Sequence, residues 1–258
     1  LPAGRHGQAG ETLMSKIVIV MPAYNAEKTL AKTFQDIPAS LNADVILGDD
    51  CSTDHTVEIA NSLGIKILRT PCNLGYGANQ KMLYQAALAE NAEVIVMLHP
   101  DWQYDATKIP DLIAPILSGK KDVMLGSRIL GGTRGTLAGG MPIYKYLSNR
   151  FLTLVENLVF GYRLSECHTG FRAYSGDVLR EIPFLLNSND FVFDSEVLAQ
   201  VSIGGFRIGE IPVPCRYFSE ASEINFWRSS VYGLATLAVC AKFLLHKFRI
   251  KTFAQFDL

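Results

Sequence analysis

Cysteine is sparse and unpatterned in this chain of 258 residues. There are five, Cys51, Cys72, Cys167, Cys215 and Cys240, with no CxxC pair. That excludes a disulfide framework and a cysteine-ligated zinc site, and fits thiols kept reduced. An excess of one charge is missing too. The 24 basic and 25 acidic side chains leave a formal charge of −1, so there is no general basic face for nucleic acid. Near the C-terminus the uncharged run Ser229–Ala241 is 13 residues long, short of the ~20 that a membrane-spanning helix needs. Leu1 to Thr12 lack the apolar stretch of a signal peptide, and residues 1–14 are expected to form a disordered tail. With 48% hydrophobic residues the remainder is no disordered chain, and its length suits one large domain with an appendage.

What is present is an alternation of strands and helices. Lys16–Met21, Ala43–Gly48, Ile65–Leu68, Glu93–Leu98 and Asp122–Leu125 read as strands, the first ended by Pro22. Ala26–Ile37, Thr56–Leu63, Ala78–Ala89 and Ile109–Leu117 read as the helices between them. Such alternation predicts an α/β fold with a mostly parallel sheet flanked by helices, and ligands in such sheets sit at the carboxyl ends of strands. The polar residues fall there: Tyr24-Asn25, Asp49-Asp50 and His99-Pro-Asp101 each follow a strand directly. Local capping explains any one of these loops, and explains all three poorly.

These loops carry a resemblance. Ile17 through Pro22-Ala-Tyr-Asn25, Gly48-Asp-Asp-Cys-Ser-Thr-Asp54 and Asn73-Leu-Gly-Tyr-Gly77 resemble the nucleotide-binding half of a family 2 glycosyltransferase. Gly126-Ser-Arg128, Thr169-Gly-Phe-Arg172 and Gly209-Glu-Ile-Pro212 extend the likeness toward dolichyl-phosphate mannosyltransferases and bacterial polyprenyl-phosphate sugar synthases. The resemblance implies the GT-A fold, a Rossmann-like sheet. It implies a catalytic domain over residues 15–222, followed by a C-terminal amphipathic helix in 223–258.

It also implies roles. The family holds Mg²⁺ or Mn²⁺ on an Asp-x-Asp element after a strand; here the triplet is His99-Pro100-Asp101, so the first aspartate is a histidine. Asp101 and Gln103 are expected at the metal. His99 is expected at the donor, as a ligand to Mn²⁺, one shell further out, or as a turn residue. Pro22, Tyr24, Asn25, Glu27 and Asp50 are expected around the base and ribose, and Asp49 either there or stabilising its loop. Gly75 and Gly77 would let the main chain pass close to the donor. Arg128 and Arg172 are expected to clamp phosphates, with Asp101 completing the catalytic set. Arg216 matches a late donor-binding arginine, unless the alignment slips onto Tyr217.

The expected reaction is inverting transfer of mannose or glucose from GDP- or UDP-hexose to a polyprenyl phosphate. A phosphate is already ionised and needs no base, whereas a hydroxyl acceptor needs a carboxylate such as Asp194 or Glu196. The alternatives are a glycan-hydroxyl acceptor in cell-envelope polysaccharide synthesis, and a non-catalytic nucleotide-sugar-binding protein. Trp227, Val231, Leu234, Ala238, Ala241, Leu245 and Phe248 recur at helical spacing, with Lys242, Lys247, Arg249 and Lys251 at the far end. That pattern fits a helix lying on the cytoplasmic face of a membrane, or else one packed on the core or in a homodimer.

Overall fold

The computed structural model describes residues 15–132, 140–216 and 226–258; the expected tail and Tyr217 lie outside them. Short aliphatic runs build a seven-stranded sheet: β1 (Ile17–Ala23), β2 (Asp44–Asp49), β3 (Lys66–Arg69), β4 (Val94–Met97), β5 (Val123–Ser127), β6 (Arg172–Ser175) and β7 (Ile208–Pro212), in the order β3-β2-β1-β4-β6-β5-β7. Every neighbouring pair is parallel except those of β6, which runs antiparallel to β4 and β5. The mostly parallel expectation is borne out.

Alternation along β1 divides the core in two. Val18 and Val20 face one apolar cluster, while Ile17, Ile19 and Met21 face the other. The second cluster lies under α1 (Leu30–Gln35), α2 (Thr56–Ser62) and α4 (Ile109–Leu117). The first lies under α3 (Tyr76–Ala89), α5 (Ile143–Phe160), α6 (Gly176–Glu181), α7 (Phe193–Ile203) and α8 (Phe226–Lys247). Burial on both faces is why β1 and β4 read as continuous aliphatic runs.

Two local features set up the site. Pro22 does not end β1, which continues to Ala23 beside Asp49. Val20 bonds toward β4, so Pro22, of the same parity, points its missing N–H to the side where β4 pairing has already stopped. Gly48 is required by packing: a Cβ there would lie 2.0 Å from Asn79 Oδ1, and the Asn79 amide donates to Gly48 O at 2.7 Å.

α8 is a single helix of 22 residues, and Arg228–Lys247 is long and apolar enough to cross a membrane by length and composition, with mean hydropathy 1.3. The 13-residue estimate was therefore too short, because helix continues through Lys242. Its core side is Thr236, Val239, Cys240 and Phe243, and the stripe Val231, Leu234, Ala238 and Ala241 is exposed.

Candidate active site

The order of strands reverses between β1 and β4, and the loops after β1, β2 and β4 meet at that crevice. The first two loops are stitched together. Asn25, in the left-handed region at φ 54°, donates its N–H to Ser52 Oγ at 2.9 Å and accepts from Thr53 N–H at 2.9 Å. Glu27 accepts from His55 N–H at 3.1 Å. Tyr24 is exposed at the rim and Pro22 half-buried behind it.

The paired aspartates face inward. Asp49 is fully buried, accepts from Ser52 N–H and pairs with Arg69 at 3.0 Å, so of its two expected roles the contacts are those of the loop brace. Asp50 accepts from Thr70 Oγ1, Leu74 N–H and Gly75 N–H at 2.8–2.9 Å. These bonds fasten the 70–75 loop to the end of β2. The glycines there are also used internally. Gly75 has φ +98°, and a Cβ would meet Asn189 O at 2.6 Å; at Gly77 it would meet Ser188 O at 2.5 Å. Their freedom brings the chain against 188–189, not against an open face.

After β4, Asp101 is buried and accepts one hydrogen bond, from Gln103 N–H at 3.1 Å, with no ion pair to a described residue. Burial pushes its carboxyl above the ordinary value, partly offset by the Gln103 N–H and the more distant Arg128 charge. The Gln103 side-chain amide makes no hydrogen bond to a described residue. Arg216 lies over the Trp102 ring at 4.5 Å and donates its N–H to Gln103 O at 2.9 Å, which brings the expected donor arginine to this loop.

His99 packs into the wall made by Gly170 and Tyr76. Its ring rests on Gly170, where a Cβ would be 2.4 Å from Cε1, and Nε2 is 3.0 Å from Tyr76 OH. Tyr76 donates its proton to Asp194 Oδ2 at 3.0 Å, so it accepts from His99, which fixes the neutral Nε2–H tautomer. Burial lowers the His99 pKa and keeps it neutral. The line continues to Arg172, which is fully buried, 3.5 Å from Asp194 Oδ2, and donates to Thr169 O, Asp194 O and Cys167 O. Arg172, expected as a phosphate clamp, has its fork occupied in bracing the 167–172 loop.

Arg128 lies nearer the cleft. Its Nε donates to Glu166 Oε1 at 2.8 Å and its Nη2 to His168 O at 2.7 Å. Burial alone would raise the Glu166 carboxyl; the Arg128 charge and hydrogen bonds, with the Asn149 amide, reverse this and hold it below its ordinary value. A depressed carboxyl contributes stability above its unfolded pKa and loses it as pH falls through the folded one. Glu166→Gln should therefore cost about 3 kcal/mol near pH 7 by urea unfolding, and the gap to wild type should narrow near pH 4.

The 165–172 loop is also tied outward. Asn149 of α5 donates to Glu166 at 2.8 Å, Glu156 of α5 lies 3.1 Å from His168 Nε2, and Tyr232 OH of α8 lies 2.7 Å from His168 Nδ1. Sequence reasoning missed Tyr76, Asn149, Glu156 and Tyr232. Only Tyr76 left a signal, bracketed by Gly75 and Gly77.

Residues 18–183 match the model of glycosyl transferase family 2. The chain belongs to that family. Among its relatives is the dolichyl-phosphate hexose transferase of Haloferax volcanii, 27% identical over 89% of this chain and 96% of that one. The UDP-N-acetylglucosamine–dolichyl-phosphate N-acetylglucosaminyltransferase of Methanococcus voltae is 25% identical over 78% and 86%. Among solved structures, glucosyl-3-phosphoglycerate synthase from Mycobacterium tuberculosis, in complex with Mn²⁺, UDP and glucosyl-3-phosphoglycerate, superposes with a TM-score of 0.68 at 18% identity, covering 92% of this chain and 87% of that one. The fold is GT-A, and the chain is a glycosyltransferase.

Proposed function

We propose that this family 2 enzyme moves a hexose, mannose or glucose, from a nucleotide-sugar to a polyprenyl phosphate at the cytoplasmic face of a membrane. One observation carries the acceptor class: the described carboxylates of the 165–172 loop and the start of α7 are already committed. Glu166 is held by Arg128 and Asn149, and Asp194 by Arg172, Tyr76 and Gln80. Glu196 accepts from Ser188 N–H at 2.6 Å. None is arranged to take a proton from a hydroxyl, and a phosphate oxygen needs no such help. The names of the two dolichyl-phosphate relatives support the same class.

In this reading a phosphate oxygen of the lipid attacks the anomeric carbon as the bond from that carbon to the diphosphate oxygen breaks. The carbon inverts and the nucleoside diphosphate leaves with the electron pair. The residues present fit a divalent cation, Mg²⁺ or Mn²⁺. Asp101 is a desolvated carboxylate with no ion pair to a described residue, and the Gln103 amide beside it makes no hydrogen bond to one. No cluster of three acidic, histidine or cysteine ligands exists among the described residues, so the diphosphate itself would complete the shell. The bound cation would neutralise charge on the leaving group. The Mn²⁺ and UDP in the mycobacterial complex are consistent with that arrangement. Tyr24 offers a face for the base, and Arg128, paired with Glu166, and Arg216, paired with Asp36, supply positive charge.

Purified enzyme with Mn²⁺ and each nucleotide-hexose should release nucleoside diphosphate when given a short polyprenyl phosphate, and not when given the matching polyprenol. Release with a glycan hydroxyl instead would move the acceptor class. Donor binding without release to any acceptor would make the chain a binding protein.

A further inference from the structure

Helix α5 has an outer face that nothing in the site uses. Ile143, Leu147, Phe151, Leu154 and Leu158 are 57–76% exposed and spaced four, four, three and four apart. They form one stripe roughly 22 Å long at 1.5 Å per residue. The opposite face, Asn149, Leu152, Thr153, Glu156 and Phe160, is buried. α8 repeats the arrangement, with Val231 and Leu234 at 49% and 69% exposure and Phe248 just beyond its end at 68%. The two helices pack side by side, Leu152 reaching the position of Gly233, and both bury their inner sides in the same apolar cluster. Their exposed stripes therefore lie on the outside of one layer. A contiguous apolar face of this kind marks an interaction site.

Charge names the partner. Lys145 and Arg150 on α5 and Arg228, Lys242 and Lys247 on α8 are basic, and Arg249 and Lys251 follow. The one acidic residue on the two helices, Glu156, is fully buried against His168. In a chain of net charge −1 this concentration is local. A second copy would set like charges against each other, while an anionic surface complements them. A spanning arrangement would strip α8 from the core that holds Thr236, Val239 and Phe243.

Resting on the membrane reading above, we propose that α5 and α8 together form a docking face for an anionic phospholipid bilayer, with the α5 stripe supplying half of the apolar contact. Both helices lie in the plane of the interface, aliphatic and aromatic side chains down and lysines and arginines among the headgroups. Because Asn149 and Tyr232 hold the loop of Glu166 and His168, the docked surface fixes the height of that loop above the lipid.

Vesicle co-sedimentation of the full chain tests this, comparing phosphatidylcholine with phosphatidylcholine–phosphatidylserine mixtures. Leu147→Ser/Leu158→Ser should weaken binding to the mixed vesicles at least tenfold, a rough expectation for two lost leucine contacts. Lys247→Glu/Lys251→Glu should abolish the preference for phosphatidylserine. Both pairs are exposed, so melting temperature and transfer to a short, water-soluble polyprenyl phosphate should stay at wild-type values. Wild-type vesicle binding by the α5 variant would overturn the proposal. So would a wild-type dimer that the α5 variant dissociates while vesicle binding persists. Vesicle binding that depends on α5 without transfer to any lipid phosphate would leave the docking face standing and remove the proposed acceptor.

Discussion

Asp101→Asn should lower kcat/KM by about a thousandfold while leaving the fold intact, a loss of several kcal/mol of transition-state stabilisation. The two effects separate because of where Asp101 lies. Its carboxyl is buried, makes one hydrogen bond and pairs with no described cation, so burial opposes its charge. An amide of the same shape keeps the bond from Gln103 N–H and sheds that cost, so thermal stability should be equal or slightly higher. A residue kept only for structure would behave in the opposite way. Mn²⁺ binding in the presence of nucleoside diphosphate, followed by electron paramagnetic resonance, should weaken in parallel. Turnover within threefold of wild type (a margin well inside that order of magnitude) would remove Asp101 from the reaction.

Asp194→Ala should destabilise the protein by about 3–5 kcal/mol, since it strands a fully buried guanidinium. Arg172 is 1% exposed at its side chain and Asp194 11%, and Tyr76 and Gln80 also lose their acceptor. The double variant Arg172→Met/Asp194→Leu should recover much of the loss, because replacing both charges with apolar groups avoids the unpaired one. Urea unfolding of the three proteins gives the comparison. Equal destabilisation of the single and double variants would show that packing, and not the unpaired charge, sets the cost. Activity should fall in both, since His99 and the 167–172 loop lose their common anchor.

The first half of the fold was open to reading because its information is local. Strands β1, β2, β4 and β5 bury aliphatic runs between turn residues, and Ile109–Leu117 has the bounds its pattern predicts. The antiparallel β6 and helix α5 were not foreseen. β6 is four residues long and completes its pairing with segments far away in the chain, and the apolar stripe of α5 faces outward. The site shows the same division. The loops after β1, β2 and β4 converge as the α/β pattern requires. The partners of Asp50, Gly75 and Arg172 come from residues 70–75, 188–189 and 167–194, contacts that no spacing encodes. A motif thus located the crevice without telling a residue that faces the ligand from one that braces the wall.

The most direct test of the central claim is the chemical identity of the product. Wild-type enzyme, supplied with nucleotide-hexose, Mn²⁺ and a polyprenyl phosphate in mixed vesicles, should yield a lipid whose mass rises by one hexose. Its sugar should be joined through a phosphodiester to an anomeric carbon of inverted configuration, as read by phosphorus and proton NMR. A sugar found on a hydroxyl, or with the donor's configuration retained, would contradict the proposed reaction.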